Sequence, residues 1–560
     1  AKDYVRQIAV PVKADGLVGE VNNPVKPPQL TEEQASALQR LSQALDGDDA
    51  STWLLHGVTG SGKTEVYMRL IAAALDRKQQ CLMLVPEISL TPQMVARFQA
   101  RFGSRVAIWH SGLTPRERFD EWRRIKSGAA QIVIGARSAI FVPLTRLGVI
   151  ILDEEHDQSY QQDENPRYHT RVVAQLRQRT SGCLLLFGSA TPSLETYRAS
   201  ELGKCKRLEL SERVSDRPLP PVHVVDMREE LRAGHKAPIS RRLEYAIEQC
   251  LERQEQAIIL LNRRGFASFL LCLDCGYVPY CTSCDISLTY HLSTDRLHCH
   301  YCGQQQPVLH ACPDCGSDRL RTQGIGTERL ETYLKTRFPA ARVERMDRDT
   351  TVGRNAHARI LQSFGQGKYD ILVGTQMIAK GLDFPRVTLV GVVGADSGLH
   401  IPDFRSAERT FQLLTQVAGR AGRGDSPGEV ILQAFNTHHY SLECARNHDY
   451  LGFYRQEMQM RQQGAYPPLG YMITLFLTHE EESELIADAA FLAARLTEHL
   501  GSAQIIGPSP CTVSKIKNSY RWQIMIKSGE RVRLRQVLEQ VLKLYYDSRR
   551  RTQVILEFDA

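Results

Sequence analysis

Gly57-Val58-Thr59-Gly60-Ser61-Gly62-Lys63-Thr64 sets glycines, a lysine and a hydroxyl at the spacing of a phosphate cradle. Backbone N–H groups of such a loop close around phosphate oxygens, Lys63 adds a point charge, and the Thr64 hydroxyl reaches a magnesium ion. Gly57, Thr59, Gly60, Ser61, Gly62, Lys63 and Thr64 are therefore the candidate nucleotide-binding residues. About ninety residues later an apolar run, Val149-Ile150-Ile151-Leu152, leads into Asp153-Glu154-Glu155-His156. In a phosphoryl-transfer site Asp153 would hold magnesium, while Glu154 would orient the attacking water and accept its proton. Acidic residues can simply end a strand; beside a complete phosphate loop they imply nucleotide hydrolysis.

Gly188-Ser189-Ala190-Thr191-Pro192 follows the next apolar run and offers short hydroxyls to a γ-phosphate. Farther on, Gln416-Val417-Ala418-Gly419-Arg420-Ala421-Gly422-Arg423 places Arg420 and Arg423 on one side of a helix. They are expected to reach across a cleft between lobes and stabilise transition-state charge as arginine fingers. A solvated basic helix face is the competing reading.

Of 14 cysteines, eight form four Cys-x-x-Cys pairs: Cys272/Cys275, Cys281/Cys284, Cys299/Cys302 and Cys312/Cys315. Eight thiolates serve two tetrahedral zinc sites, and Gly276, Gly303 and Gly316 suit the tight turn of a zinc knuckle. A disulfide framework fits poorly with a chain that shows no secretory signal. Spacing alone admits consecutive, alternating or nested combinations of the pairs. Ligation by His298 or His300, which flank Cys299, ranks below the all-cysteine reading.

These groups need a scaffold. The chain has 560 residues, 42% of them hydrophobic, enough for several packed domains. Its formal charge of +7 permits a polyanionic partner without requiring one. No apolar stretch approaches the roughly 18 residues of a membrane span, so an intracellular protein without membrane contact is expected. The first residues, Ala1-Lys2-Asp3, lack an initiating Met, which suggests a missing N-terminal domain. Pro24, Pro27 and Pro28 mark a linker, and Thr31 is a plausible N-cap for the helical pattern that follows. Apolar runs at 53–55, 81–85, 132–134, 149–152 and 184–187 read as buried parallel strands, and a second series follows at 257–261, 371–373, 387–390 and 430–432. The second series has no phosphate loop. From Tyr466-Pro467-Pro468 onward, shorter strands and two helical stretches indicate a small α+β domain. The fold class is thus α/β, with two stacked lobes.

Together with residues 57–64, the segments 84–93, 135–139, 153–156, 188–193, 261–265, 374–384 and 416–423 resemble superfamily 2 helicases, and within them the bacterial replication-restart helicases of the PriA (primosomal protein N′) family. The resemblance covers most of the chain and implies two RecA-like lobes. It implies the limits 1–28 for a linker or winged-helix remnant, 29–205 and 206–465 for the lobes, 271–318 for a zinc insertion in the second lobe, and 466–560 for a C-terminal DNA- and partner-binding domain. It assigns adenine recognition to Gln34. It selects the nested zinc pairing, with Cys272, Cys275, Cys312 and Cys315 in one site and Cys281, Cys284, Cys299 and Cys302 in the other.

Residues 160–169 resemble the family's aromatic loop, which makes Tyr160, Arg167 and Tyr168 candidate DNA contacts, with Arg137 beside them; planar side chains there suit stacking on unpaired bases. Lys515, Lys517, Arg521 and Trp522 mix charge and aromatic surface in the same manner, although Asn518-Ser519 replaces a Gly/Arg-rich stretch seen in many members. Tyr277, Tyr280, Tyr290 and Tyr301 suit either fork contact or the core of the insertion.

By resemblance the function is a 3′-to-5′ ATP-dependent DNA helicase that acts at stalled forks and helps reload the replicative helicase. ATP, Mg2+ and two Zn2+ are the implied cofactors; forked and single-stranded DNA, single-strand DNA-binding protein and other primosome proteins are the implied partners. A monomer in the bacterial cytoplasm, associated with the nucleoid, is the accompanying expectation. A zinc-stabilised scaffold with a vestigial ATPase, and a duplex translocase that separates no strands, are the alternatives.

Overall fold

A computed structural model of the chain describes residues 27–47, 51–86, 91–162, 164–214, 218–262, 269–284, 286–291, 294–322, 326–347, 350–351, 356–379, 384–422, 424, 426–500 and 504–559. They form two compact units. The first takes in the described residues up to Gly57, then Ser61–Ser189 and Lys206–Val214; the second takes in Val58–Gly60, Ala190–Cys205 and the described residues beyond.

The first unit is built on seven parallel strands. Their spatial order is Val106–Trp109, Ile132–Gly135, Gln80–Leu84, Leu147–Asp153, Leu184–Ser189, Thr52–Gly57 and Lys206–Leu210. The central strands are almost wholly buried and largely apolar because helices cover both faces of a parallel sheet and leave no solvent side. Local signals set the helix starts. Thr31 caps the helix Glu32–Asp46, and Gln34 returns the bond in a capping box. Thr114 and Glu117 do the same for Pro115–Lys126, with proline at the first helical position.

The second unit holds a six-stranded parallel sheet in the order Val222–Asp226, Glu429–Ala434, Val387–Val393, Gln256–Leu261, Ile371–Gly374 and Val343–Met346. A cysteine-rich insertion leaves this lobe after Asn262 and contains small antiparallel sheets. The C-terminal domain is a four-stranded antiparallel sheet, ordered Gln504–Ile516, Ser519–Ser528, Tyr471–His479 and Gln553–Asp559, with the helices Glu482–Leu500 and Arg531–Asp547 packed on it. The insertion and this domain share a core: Cys281, Cys299, Leu297 and Tyr301 are buried in one cluster with Tyr466, Met472 and Met525. The architecture is therefore two α/β lobes, a cysteine-rich insertion in the second, and an α+β C-terminal domain. Among the described residues no helix is long and apolar enough to cross a membrane.

Candidate nucleotide site and metal centres

The phosphate loop lies between the strand Thr52–Gly57 and the helix Lys63–Asp76. Gly60 and Gly62 both take left-handed φ, +87° and +77°, which turns successive N–H groups inward at positions where other residues are strained. Lys63 Nζ donates to the Gly57 carbonyl at 2.6 Å, folding the lysine back over the loop. Ser61 Oγ is buried and has no hydrogen-bond partner among the described residues, so this cradle has an unused polar atom inside it.

Gln34 braces the loop from outside. Its Nε2 donates to the Ser61 carbonyl at 2.8 Å, its Oε1 accepts from Thr31 N–H, and the side chain is 2% exposed. The amide that family resemblance assigns to adenine is thus engaged with the loop and the helix cap. A Cβ on Gly62 would run into Gln34 Nε2, so close packing as well as φ requires glycine there.

Asp153 ends the strand Leu147–Asp153, and Glu154 follows with φ +47°, a left-handed backbone uncommon outside glycine and frequent at working sites. Tyr67, one turn into the helix after the loop, donates its hydroxyl to Asp153 Oδ1 at 3.0 Å. A Cβ on Gly188 would overlap that hydroxyl, which explains why the Gly188 position is open. Burial, then the adjacent charge of Glu154, pushes Asp153 up to about 7, while Lys63 and the Tyr67 hydroxyl pull it down. A buried carboxylate raised by its neighbours fits a hard cation with oxygen ligands. His156 Nδ1 lies 2.7 Å from Ser189 Oγ, joining the acidic motif to Gly188-Ser189. Glu155 is buried 3.6 Å from Arg171. Sequence reasoning missed Tyr67; its position four residues after Lys63, on the same helix face, was the available signal.

Tyr160 corrects one expectation. It is 0% exposed, and its hydroxyl lies 2.7 Å from the Asp153 carbonyl and 2.9 Å from that of Leu84, so it braces the acidic strand and has no face for a base. Arg137 Nη1 donates to the Ser159 carbonyl at 3.2 Å and to that of Gln161, holding the aromatic loop from beneath. Tyr168 meets Phe141 edge to face at 5.0 Å, and Arg167 is partly exposed beside it. In the C-terminal domain, Lys517 and Asn518 take φ of +49° and +64° and close a two-residue hairpin turn between Gln504–Ile516 and Ser519–Ser528. Lys515 is exposed, with Nζ 4.2 Å above the Tyr520 ring. Arg521 is partly exposed, and Trp522 packs partly against the domain core. Arg420 follows the helix Ser406–Ala418 and is partly exposed; Arg423 lies outside the described residues.

The cysteines gather in the nested arrangement. Cys272, Cys275, Cys312 and Cys315 bring their sulfurs within 4.8 Å of one another, and Cys281, Cys284, Cys299 and Cys302 do likewise. Sγ separations of 3.6 Å for Cys272–Cys315, 3.5 Å for Cys275–Cys312 and 3.6 Å for Cys281–Cys302 approach the tetrahedron edge of about 3.8 Å that Zn–S bonds of about 2.3 Å require. Gly276, Gly303 and Gly316 take φ of +81°, +77° and +72°, completing a knuckle turn after Cys275, Cys302 and Cys315. His298 and His300 stand outside both clusters: His300 Nδ1 contacts the Pro510 carbonyl, and its Nε2 is 3.0 Å from His291 Nε2. The donor sets fit two zinc ions. Of the four tyrosines weighed in the insertion, Tyr301 is buried in the shared core and Tyr280 is 40% exposed.

Family models agree with this division. "DEAD/DEAH box helicase" matches residues 31–199, "Helicase conserved C-terminal domain" 322–425, "PriA DNA helicase Cys-rich region (CRR) domain" 281–307, and "Primosomal protein N C-terminal domain" 462–560. A replication restart protein PriA from Haemophilus influenzae is 39% identical over 569 residues, which cover 100% of this chain and 77% of that protein. The chain belongs to the PriA family. PriA relatives from Bacillus subtilis and Synechocystis are 49% and 45% identical over 95% and 93% of the chain, and the matches cover 66% and 64% of those proteins. The chain therefore spans about two thirds of the length of these PriA relatives. The PriA cysteine-rich model falls on the segment that holds Cys281, Cys284, Cys299 and Cys302, in the same chain as the phosphate loop.

Proposed function

We propose that this chain is the motor portion of an ATP-dependent DNA helicase of replication restart, moving 3′ to 5′ on single-stranded DNA at stalled or repaired forks and promoting reloading of the replicative helicase. The observation that carries the reading is the bond from Tyr67, on the helix after the phosphate loop, to Asp153, with the Lys63 charge acting on the same carboxylate, in a chain of this family. Lys63 binds phosphate. Thr64 and Asp153 would hold magnesium, which supplies charge neutralisation on the phosphates when bound. Glu154 orients water and takes its proton, and Arg420 with Arg423 stabilise charge in the transition state. Gln34 serves the adenine end of the same site by fixing the loop's outer carbonyl.

Arg137, Arg167, Tyr168, Lys515, Lys517, Arg521 and Trp522 are the proposed DNA contacts; Tyr160 supports them from the core. The proposed domain limits are 29–205 and 206–465 for the lobes, 271–318 for the insertion and 466–560 for the C-terminal domain. Single-strand DNA-binding protein and other primosome proteins are the proposed partners of a monomeric, nucleoid-associated cytoplasmic protein.

The test is strand separation on a synthetic fork with an unwound lagging arm, run with Lys63→Ala as control. Loss of a phosphate-binding charge is expected to reduce DNA-stimulated turnover by about 100-fold or more and to abolish separation. Retained DNA-stimulated ATPase in the variant would remove Lys63 from its assigned role. ATPase without separation in the unaltered chain would favour the duplex-translocase reading.

A further inference from the structure

The seven-stranded sheet has a second charged end. Because its strands are parallel, the phosphate loop and Asp153 lie at their carboxyl ends, and the starts of Gln80–Leu84 and Leu147–Asp153 lie at the opposite end. There the first unit forms a concavity of about 720 Å³, within the range of small-ligand sites. Its lining includes Arg77, Lys78, Arg146 and Arg177 and contains no acidic residue.

Cations at this end have one ready structural explanation, since the helices Lys63–Asp76 and Thr170–Ser181 finish here and their last carbonyls carry partial negative charge. That explanation accounts for Arg77, which donates to the Ala73 carbonyl at 2.7 Å and forms a two-bond pair with Asp46. It does not account for the other three. Arg177 spends one donor on the Ile140 carbonyl and has no carboxylate partner, although partial burial disfavours its charge. Lys78, held with φ +57°, and Arg146 are exposed and likewise have no carboxylate partner among the described residues. Beside them the Gln79 side chain packs over Gly148, where a Cβ would run into it.

We propose that this concavity is a second phosphate-binding site, separate from the phosphate loop, for a nucleotide unit whose phosphate meets Lys78, Arg146 and Arg177. Guanidinium groups with free N–H donors bind phosphate oxygens through paired, charge-assisted bonds. The nucleotide unit belongs either to a nucleic-acid strand or to a free nucleotide, and the test separates these sources. It stands apart from the motor reading: if hydrolysis at Lys63 failed, this site would still bind phosphate.

The experiment uses the full chain and the exposed pair Lys78→Gln/Arg146→Gln, with thermal melting to establish that both proteins fold alike. Binding of a labelled single-stranded oligonucleotide is titrated across salt concentrations with saturating ADP present. If the ligand is a strand, the slope of log affinity against log salt falls by about 1.4 in the double variant, because each lost phosphate contact on single strands contributes about 0.7. If the ligand is free, the slope is unchanged, but pyrophosphate or ADP bound by a Lys63→Ala protein is lost when Lys78→Gln/Arg146→Gln is added. An unchanged slope together with unchanged pyrophosphate and ADP binding overturns the proposal and leaves the cations as partners of the helix ends alone.

Discussion

Asp153 works against its surroundings. Burial and Glu154 favour its protonated form and raise it to about 7, while the Tyr67 hydroxyl, at 3.0 Å, favours the carboxylate. Its folded pKa lies above the usual Asp value, so the stability linked to this group is present below about pH 4 and is lost as pH rises through about 7. Activity follows the opposite direction, because the carboxylate is the working form. Tyr67→Phe removes the bond that favours ionisation and is expected to move the acid limb of kcat/KM for ATP upward by about one pH unit, since a bond to a charged group is worth about 1.5–3 kcal/mol. Above that limb the variant should approach the parent rate. A pH profile that does not move would mean that Asp153 does not set the limb. The motifs themselves were legible because phosphate chemistry fixes residue type and spacing together. Tyr67 was not: its role depends on the space opened at Gly188, 121 residues away in sequence.

Elements were legible in proportion to their burial. Strands buried on both faces, such as Leu147–Asp153 and Gln256–Leu261, read directly from continuous apolar runs. The strands that escaped the sequence reading are shorter or partly solvated: Val343–Met346 places Glu344 and Arg345 between its two buried ends, and Lys206–Leu210 alternates at a sheet edge. The paired cysteines announced metal, whereas the packing of the insertion on the C-terminal domain had no sequence signal. That packing joins Cys281, Cys299 and Tyr301 to Met472 and Met525, and adds bonds from Ser509 Oγ to the His300 and Tyr301 carbonyls at 3.1 and 3.0 Å. Zinc removal should therefore loosen the insertion and the face of the C-terminal domain that shares its core, because a metal's binding free energy is folding free energy in a module of this size. Chelation followed by limited proteolysis is expected to open cleavage within 269–322 and to increase exchange at Met472 and Met525. Far-ultraviolet dichroism should change little, since both parallel sheets stand on apolar cores. Unchanged protection at the methionines would show that the shared core survives without metal.

Across the larger compact unit, Arg461 ties distant parts together. It is 1% exposed and pairs with Glu408 at 3.0 Å on the helix Ser406–Ala418, which leads to Arg420; it also pairs with Glu457 at 2.6 Å on its own helix. A further N–H reaches the Pro467 carbonyl, where the C-terminal domain begins, and Glu408 Oε1 accepts from Leu194 N–H at 3.1 Å. Arg461→Met keeps most of the volume but leaves two carboxylates buried without their cation, a change that costs about 3–5 kcal/mol. Denaturant unfolding should show this loss in the transition of the second unit, while ADP affinity, which depends on the phosphate loop, stays near the parent value. The loss should also depend on pH. Burial, then Glu195, already pushes Glu408 up to about 7, and without the guanidinium this carboxylate moves farther upward. At pH 5.5 Glu408 can take a proton and avoid buried charge; at pH 8 it is left as a buried charge without its cation, or binds a proton at a cost. The variant should therefore be penalised more at pH 8 than at pH 5.5. Equal losses at both values would mean that Arg461 contributes by packing against Phe404, whose ring lies 4.7 Å from its guanidinium, and that its charge is incidental.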